Sequence, residues 1–406
     1  MFGKTLKFIG KAIAYFVAIL LAYALLIPFL WGPIYDFPEP KPFSGTHFYN
    51  PYQNMDSSAW FKGNFHAHAN PYGILTNGRK NTSKAIFQRY DSLNYKSFSI
   101  TNYMHIDTFQ SKSPKYIPAY EHGYSPVKYH QLVLGAKQVF YFDYPLFQWS
   151  SNKQYIIDRV RRNSDLLAIA HPEFMSAYSL TDAKKLCNYD LVEVMNQRKF
   201  SFDFWDAALS SGRAVWILAN DDTHDLDDPA DYGMQATLIN APSQEKNEVL
   251  QAMKAGRTMG YAPVNSPEFG HELKVQHKDA FPRLLSFEVS EQGEISGRFS
   301  KPIKEYHVYA QNGEEVAYVY TEHQDNREIQ AKFEEQHQYL RFKINFEDAD
   351  LLYLNPVVRY NGVELPIFHA KVNIWQTVLW RGLAWAVLVT ILVLWFKRRK
   401  NKYSSI

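Results

Sequence analysis

Cysteine is nearly missing: Cys187 is the single one in 406 residues. One thiol makes no intrachain disulfide and no cysteine-rich zinc site, so any metal must be held mainly by His, Asp and Glu. Its setting, Lys185-Leu186-Cys187-Asn188, reads as the end of a helix, with Cys187 a buried small hydrophobe. Acidic residues are missing from both ends of the chain. Before Gly32 the charged residues are Lys4, Lys7 and Lys11; from Ile374 onward they are Arg381, Lys397, Arg398, Arg399, Lys400 and Lys402. Removing those nine from the 44 basic residues leaves 35 between residues 32 and 373, against all 41 acidic ones, a net charge of −6. The overall +3 therefore belongs to the ends. The middle has no basic stripe, which excludes the electrostatic footprint of a nucleic-acid binder. Internal repeats and low-complexity tracts are also absent. With 46% hydrophobic and 21% charged residues, the chain is globular rather than disordered.

Two long apolar runs stand beside those basic ends. Ala12 to Trp31 has no charge and is long enough to cross a hydrocarbon core of about 30 Å as a helix. A signal peptide would have a shorter apolar region and a small-residue cleavage site. This run ends Ile27-Pro28-Phe29-Leu30-Trp31, which favours an uncleaved anchor. Residues 374–396 form the second run, with Trp375, Trp380 and Trp395 suited to interfacial belts. Arg381 lies about a third of the way in and can snorkel to the interface. A buried core helix is the other reading of this run; its length and basic tail favour a span. The basic flanks predict that both termini are cytoplasmic and that residues 32–373 lie outside the cytoplasm, in the periplasm if the membrane is a bacterial inner membrane.

The region between divides by pattern. Residues 32–59, with Phe37-Pro38-Glu39-Pro40-Lys41-Pro42, read as a semi-extended linker. Within 60–265, predicted strands at 60–66, 97–101, 116–120, 129–134, 166–170, 191–195 and 214–218 alternate with predicted helices at 83–92, 152–163, 181–186, 201–210 and 243–255. Such alternation predicts an α/β fold with a mainly parallel sheet, open or closed into a barrel. Within 283–368, strand-like runs at 284–289, 305–310, 315–320, 339–344 and 352–360 predict a small antiparallel β-domain of sandwich type.

The chemistry-bearing residues fall against those strands. His66-Ala67-His68 ends the first and Glu121 follows the third. His130 opens the fourth and His171 directly follows the fifth. Glu193 lies inside the sixth, and Asp221-Asp222-Thr223-His224 follows the seventh. Strand ends in α/β folds converge on one face, and a His-x-His pair in extended chain projects both rings to one side. Imidazole suits zinc, copper, iron and nickel, while carboxylate suits harder ions such as manganese. A set of satisfied polar residues at a barrel mouth would have the same sequence pattern, so at this level both readings stand.

The order of short motifs brings a family into view. Asn64-Phe65-His66-Ala67-His68, Ile117-Pro118-Ala119-Tyr120-Glu121, His130-Gln131-Leu132, Ala170-His171-Pro172, Val192-Glu193-Val194 and Asp222-Thr223-His224 together resemble the polymerase and histidinol phosphatase (PHP) superfamily of metal-dependent phosphoesterases. The resemblance covers about half the chain and implies a distorted (β/α)7 barrel. The later Leu354-Asn355-Pro356-Val357-Val358-Arg359 looks, more loosely, like the carbaryl-hydrolase-like branch. Carried over, the resemblance implies that His66 and His68 bind one metal with Asp222. It also implies that Glu121 bridges to a second metal held by His130 and His171, and that His224 binds a third or acts near the substrate. The chain departs from the pattern where an Asp usually follows the His pair, offering Asn77. It departs again where Thr-Asp-His is usual, having Thr101-Asn102-Tyr103. Both changes remove third-site ligands, which predicts two divalent ions (Zn, Mn or Fe) rather than three, with His105 as a partial substitute or a surface residue.

These readings predict a membrane-anchored hydrolase acting on a small molecule through metal-activated water, with Glu121 and His224 in catalytic roles. Glu193 would orient a ligand histidine, or pair with a nearby base. Arg79 and Lys80 would hold an anionic substrate, or form a solvated loop. The phosphoester reading competes with hydrolysis of amide, carbamate or ester bonds, and with a metal-binding receptor or scaffold without turnover. Nucleic acid is not expected as a partner.

Overall fold

The computed structural model describes residues 2–69, 81–263, 269–321 and 325–403. Asn77, Arg79 and Lys80 lie outside the described residues. Helix α1 (Phe2–Leu30) leads into the short strands β1 (Tyr35–Asp36) and β2 (His47–Tyr49). The next region begins with β3 (Trp60–Asn64), α2 (Ser83–Ser92), β4 (Tyr95–Phe98), β5 (Ala119–His122) and β6 (Gln131–Leu134). It continues with α3 (Ser150–Arg161), β7 (Leu166–Ile169), α4 (Leu180–Lys185), β8 (Leu191–Asn196), α5 (Phe202–Ser210), β9 (Trp216–Asn220), β10 (Ala236–Asn240), α6 (Lys246–Lys254) and β11 (Thr258–Ala262). After α7 (His271–Gln276) come β12 (Leu284–Val289), β13 (Glu294–Phe299), β14 (Ile303–Tyr309), β15 (Glu315–Tyr320), β16 (Glu328–Lys332), β17 (Tyr339–Phe346), β18 (Leu351–Leu354), β19 (Val357–Tyr360) and β20 (Lys371–Val372). Helix α8 (Ile374–Tyr403) completes the order.

Local chemistry explains the boundaries. Thr82 caps α2 by accepting from the Ala85 amide at 3.1 Å, and Ser179 with Asp182 forms a capping box on α4. Strands β7 and β8 are buried at every residue. That fits their near-continuous apolar sequence, since a strand covered on both faces need not alternate.

The fold is mixed α/β with several sheets. One sheet has the order β5-β6-β7-β8-β9. A ten-stranded sheet follows the path β15-β14-β17-β18-β11-β10-β3-β4, with β19 and β2 added beside β17. The mainly parallel sheet expected from sequence is corrected here. Among the described ladders only β3/β4, β7/β8 and β8/β9 are parallel, while β5/β6 and β6/β7 are antiparallel. For β5/β6 the cause is loop length. Residues 123–130 between β5 and β6 are too few for a crossover, so the chain must reverse. The seven strands expected to form one barrel fall in both sheets. Two single parallel bridges, Ala67 to Thr223 and Tyr103 to Glu121, join the sheets.

Strands β12 to β19 pair only antiparallel. They are not set apart from the preceding region, because β18 pairs with β11 and extends its sheet. The expected strand over 352–360 breaks in two at Asn355-Pro356, where proline has no N–H for a ladder. Asn355 uses the break. Its Oδ1 accepts from the Ile217 amide at 2.8 Å, and its Nδ2 donates to the carbonyls of Gly256 and Thr258. The three-stranded sheet β12-β13-β16 buries Phe287, Ile295, Phe299 and Ile329 against Val308, Phe342, Ile344 and Phe346 of the large sheet.

Both terminal helices are long and apolar enough to cross a membrane, over Ile9–Leu30 and Ile374–Lys397. Their apolar side chains, Phe16, Ile19, Leu20, Val387 and Ile391 among them, are exposed rather than packed in a core. The two helices meet where Phe29 stacks on Trp380 and the Arg381 guanidinium donates to the Trp31 carbonyl at 2.9 Å. Just outside, β1 pairs with β20.

Candidate metal centre

Glu121, near the end of β5, is the hub. It is fully buried, and its two oxygens face different partners. Oε2 lies 3.3 Å from His66 Nε2 and 3.2 Å from His68 Nε2. Oε1 lies 3.3 Å from His171 Nε2 and in contact with His130 Nδ1. Asp222 Oδ1 completes the first side at 3.1 Å from both His66 Nε2 and His68 Nε2. Each of the six residues expected to bind metal from sequence is therefore brought to one place, as two groups sharing a carboxylate.

Backbone shape does part of the aiming. His66 and His68 leave β3 in extended chain, so both rings point to one side. His171 and Asp222 follow β7 and β9 in left-handed conformations, with φ of +27° and +54°. Such a conformation costs a non-glycine residue on the order of 1 kcal/mol, and here it turns each side chain sharply back across its strand end.

The spacing fits cations. Two ligand atoms each about 2.1 Å from one ion in a tetrahedral array stand roughly 3.4 Å apart. His66 Nε2 and Glu121 Oε2, though 3.3 Å apart and buried, form no hydrogen bond. They point at a common spot rather than at each other. Glu121, Glu193 and Asp222 form no ion pair with Lys or Arg among the described residues. Buried carboxylates need a positive partner. Burial raises the carboxyl of Glu121, but His130 and His66 outweigh it and hold its pKa well below the usual range. Burial likewise lowers His66, but Asp222, Glu193 and Glu121 outweigh it and hold it well up. A divalent cation satisfies the same carboxylates while leaving the rings neutral, so the donor set fits one.

Glu193 lies behind the ligands. Its Oε1 accepts from His66 Nδ1 at 2.9 Å and from Asn220 Nδ2 at 2.9 Å. Its Oε2 accepts from the His171 amide at 3.0 Å. This fixes the tautomer of His66 with Nε2 free to bind. His224 lies beside Asp222, with Nδ1 donating to the Asp222 carbonyl at 2.7 Å and Nε2 3.2 Å from the Tyr103 hydroxyl. Burial first, and then His68, lower its pKa to about 4.

Tyr103 stacks on His68 with ring centroids 4.5 Å apart, and Asn102 Oδ1 accepts from the Ala69 amide at 2.7 Å. Asn102 and Tyr103 thus pack beside the centre and belong to none of the candidate ligand groups among the described residues. His105 is exposed and belongs to none of the candidate ligand groups among the described residues. Nothing in the sequence marks Asn81, and Asp221 is marked only as part of the Asp221-Asp222-Thr223-His224 run. Asn81 donates to the carbonyls of His68 and His224, and Asp221 accepts from the Tyr90 hydroxyl and the Gly233, Met234 and Gln235 amides.

No known family profile matches the sequence, and no curated protein does. Two solved structures are similar. One is a two-domain protein from Bacteroides vulgatus containing a predicted PHP-like metal-dependent phosphoesterase, 12% identical, covering 83% of this chain and 99% of that one, with a TM-score of 0.39. The other is PsfC from Pseudomonas syringae, 12% identical, covering 54% of this chain and 98% of that one, with a TM-score of 0.35. At that distance neither assigns a role to a residue of this chain.

Proposed function

We propose that this protein is a membrane-anchored, metal-dependent hydrolase of the PHP type, acting on phosphoesters. The observation that carries the reading is Glu121, whose two oxygens face two separate groups of histidines. In this reading His66, His68 and Asp222 would hold one divalent ion and His130 and His171 a second, with Glu121 available to both. The two sheets and their single bridges are read as a distorted seven-stranded barrel, with the centre at its mouth. Bound ions would supply Lewis acidity and a water of lowered pKa, the usual means of hydrolysis at such sites.

The chain's own residues do the rest. Glu193 holds the His66 ring in one tautomer. Tyr103 donates to His224 Nε2, and His224, with its pKa lowered to about 4, stays neutral near pH 7 and serves there as a proton acceptor beside the centre. Tyr103, packed against His68 and His130, covers the centre and limits water, which strengthens every charge interaction inside. The basic flanks support cytoplasmic termini and an extracytoplasmic centre.

Two measurements on the purified full-length protein test the reading. Metal content by plasma mass spectrometry should be close to two ions per chain, the number of a binuclear site, and should fall in the His66→Ala/His68→Ala variant. Glu121→Gln should lose both metal and phosphoester hydrolysis. Undiminished turnover in Glu121→Gln would end the catalytic assignment; a screen of amide and carbamate esters separates bond classes.

A further inference from the structure

The eight residues that link two of the metal-site residues, Glu121 and His130, also touch the membrane helix. Gly123 packs on the site: with φ of +126°, a Cβ there would stand 2.5 Å from the His130 ring. Tyr124, next in the chain, donates from its amide to Asp143 Oδ2 at 3.0 Å and from its hydroxyl to the Asp143 carbonyl at 2.6 Å. Burial and then Asp143 raise its phenol above the ordinary range. The end of α1 docks on the same corner. Ile27 is buried in one cluster with Tyr120, Tyr129, Val133 and Tyr144. Asn152 Nδ2 donates to the Pro28 carbonyl at 3.0 Å. A Cβ on Gly32 would meet Asn152 and Tyr144 at 2.6 Å.

Within the candidate span Ile9–Leu30, Tyr23 and Leu25 are exposed while Ile27 and Pro28 are covered by the protein, so the lipid-facing part ends just before Ile27. The corner that holds Ile27, with Tyr129 next to His130, therefore lies at the bilayer interface with the site close behind it. Large apolar side chains are exposed in the stretches before and after α3. Tyr141, Trp149, Met175 and Leu180 are 70%, 59%, 57% and 49% exposed. Trp149 caps the helix that holds Pro28, and Met175 and Leu180 follow the site residue His171. Exposed aromatic and apolar side chains next to a span are suited to the interface. The same loop supplies a cation. Lys128 Nζ lies 5.7 Å over the ring of Tyr103, which stacks on His68. It forms no ion pair with a carboxylate among the described residues.

We propose that the metal centre opens onto the membrane surface and takes a phosphoester carried by a lipid headgroup, held by Lys128. This rests on the hydrolase reading above and adds the substrate class.

The test uses the full-length protein in vesicles. Tyr124→Cys and Trp149→Cys carry an environment-sensitive label, with Tyr318→Cys on β15 as a distant control. Brominated lipids should quench the first two labels and aqueous iodide the third. Iodide quenching of all three would overturn the inference. Metal-loaded protein is then given phosphatidic acid in phosphatidylcholine vesicles and, separately, soluble p-nitrophenyl phosphate. Release of phosphate from the lipid, reduced roughly tenfold or more in Lys128→Ala as expected for one lost contact to a charge, supports it. Cleavage of the soluble ester alone overturns the lipid substrate and leaves the hydrolase standing. Cleavage of neither removes the hydrolase reading and the substrate class with it, whatever the labels show.

Discussion

Glu193 ligates nothing in the proposed arrangement, yet it accepts from His66 and from the His171 amide. Replacing it by Gln removes a negative charge behind the ligand and allows the wrong tautomer. Groups in this position commonly change metal affinity by roughly 10- to 100-fold. Glu193→Gln should weaken affinity by that amount in a chelator-competition titration, while Glu193→Asp should retain part of it. Unchanged affinity would reduce Glu193 to a packing residue. Lys62 is a different case, a buried lysine with no ion pair among the described residues. Its Nζ donates to the Leu93 carbonyl at 2.7 Å and lies 4.8 Å over the Tyr95 ring. Burial lowers its pKa from 10.5 to about 8. Below pH 8 the folded chain carries the full cost of this buried charge. Between pH 8 and 10.5 the folded chain releases the proton while the unfolded chain keeps it, so stability at this position rises with pH. Relative to Lys62→Met, the wild type should gain stability by up to about 3 kcal/mol across that window. Paired thermal melts at pH 7.5 and 9.5 read this difference, and equal slopes would refute it. The contrast shows what sequence makes legible. The metal-site residues could be read because His-x-His and the Asp222-Thr223-His224 run abut predicted strands. Asn81 and the buried Lys62 could not be, because their roles depend on neighbours distant in the chain.

At the scale of elements, helices were read closely because their ends carry local signals. The predicted helix over 83–92 coincides with α2, whose Thr82 cap is visible in sequence. Strands without a full apolar alternation were missed. β16, Glu-Ile-Gln-Ala-Lys, has one fully buried side chain, and β13 contains glycine. Their identity as strands comes from pairing with each other, which no local pattern reveals. The parallel bias was misjudged for a similar reason, since the reversal at residues 123–130 is set by loop length rather than by strand composition. Long-range polar contacts were equally hidden. Asp206 of α5 receives the Arg341 guanidinium of β17 through both Nε and Nη2, together with the Tyr339 hydroxyl at 3.0 Å. All three are buried. Removing one member of a buried pair leaves the other charge unsatisfied and typically costs about 3–5 kcal/mol. Arg341→Met should therefore lower the melting temperature markedly. Asp206→Leu/Arg341→Met should recover much of that loss, because paired removal leaves no orphan charge. A double variant no more stable than the single one would show that the fork holds α5 on the sheet by shape rather than charge.

At the scale of the molecule, the candidate ligands come from both sheets. His66 and His68 follow β3 of the large sheet, whereas Glu121 lies in β5, His130 directly precedes β6, and His171 and Asp222 follow β7 and β9 of the five-stranded one. Only single bridges join the sheets at that end. Cations held between these residues would link the two sheets, and they bind the folded chain far better than the unfolded one. Such ligands stabilise by about 4 kcal/mol when present at a thousand times their dissociation constant. The buried carboxylates sharpen the effect, because without cations they must be balanced by protonated histidines. Chelation of the full-length protein in detergent should therefore lower its melting temperature by several degrees, and added zinc or manganese should restore it. The His66→Ala/His68→Ala variant should show a much smaller response, since only the His130 and His171 side remains. The terminal helices contribute no residue to the candidate ligand groups and serve as an internal control. Their far-ultraviolet helical signal should persist through the chelator-sensitive transition, because their apolar faces are covered by detergent rather than by the sheets. A melting temperature indifferent to chelator and to added metal would mean that the histidines and carboxylates are balanced by protons alone, and the metal reading would fall with it.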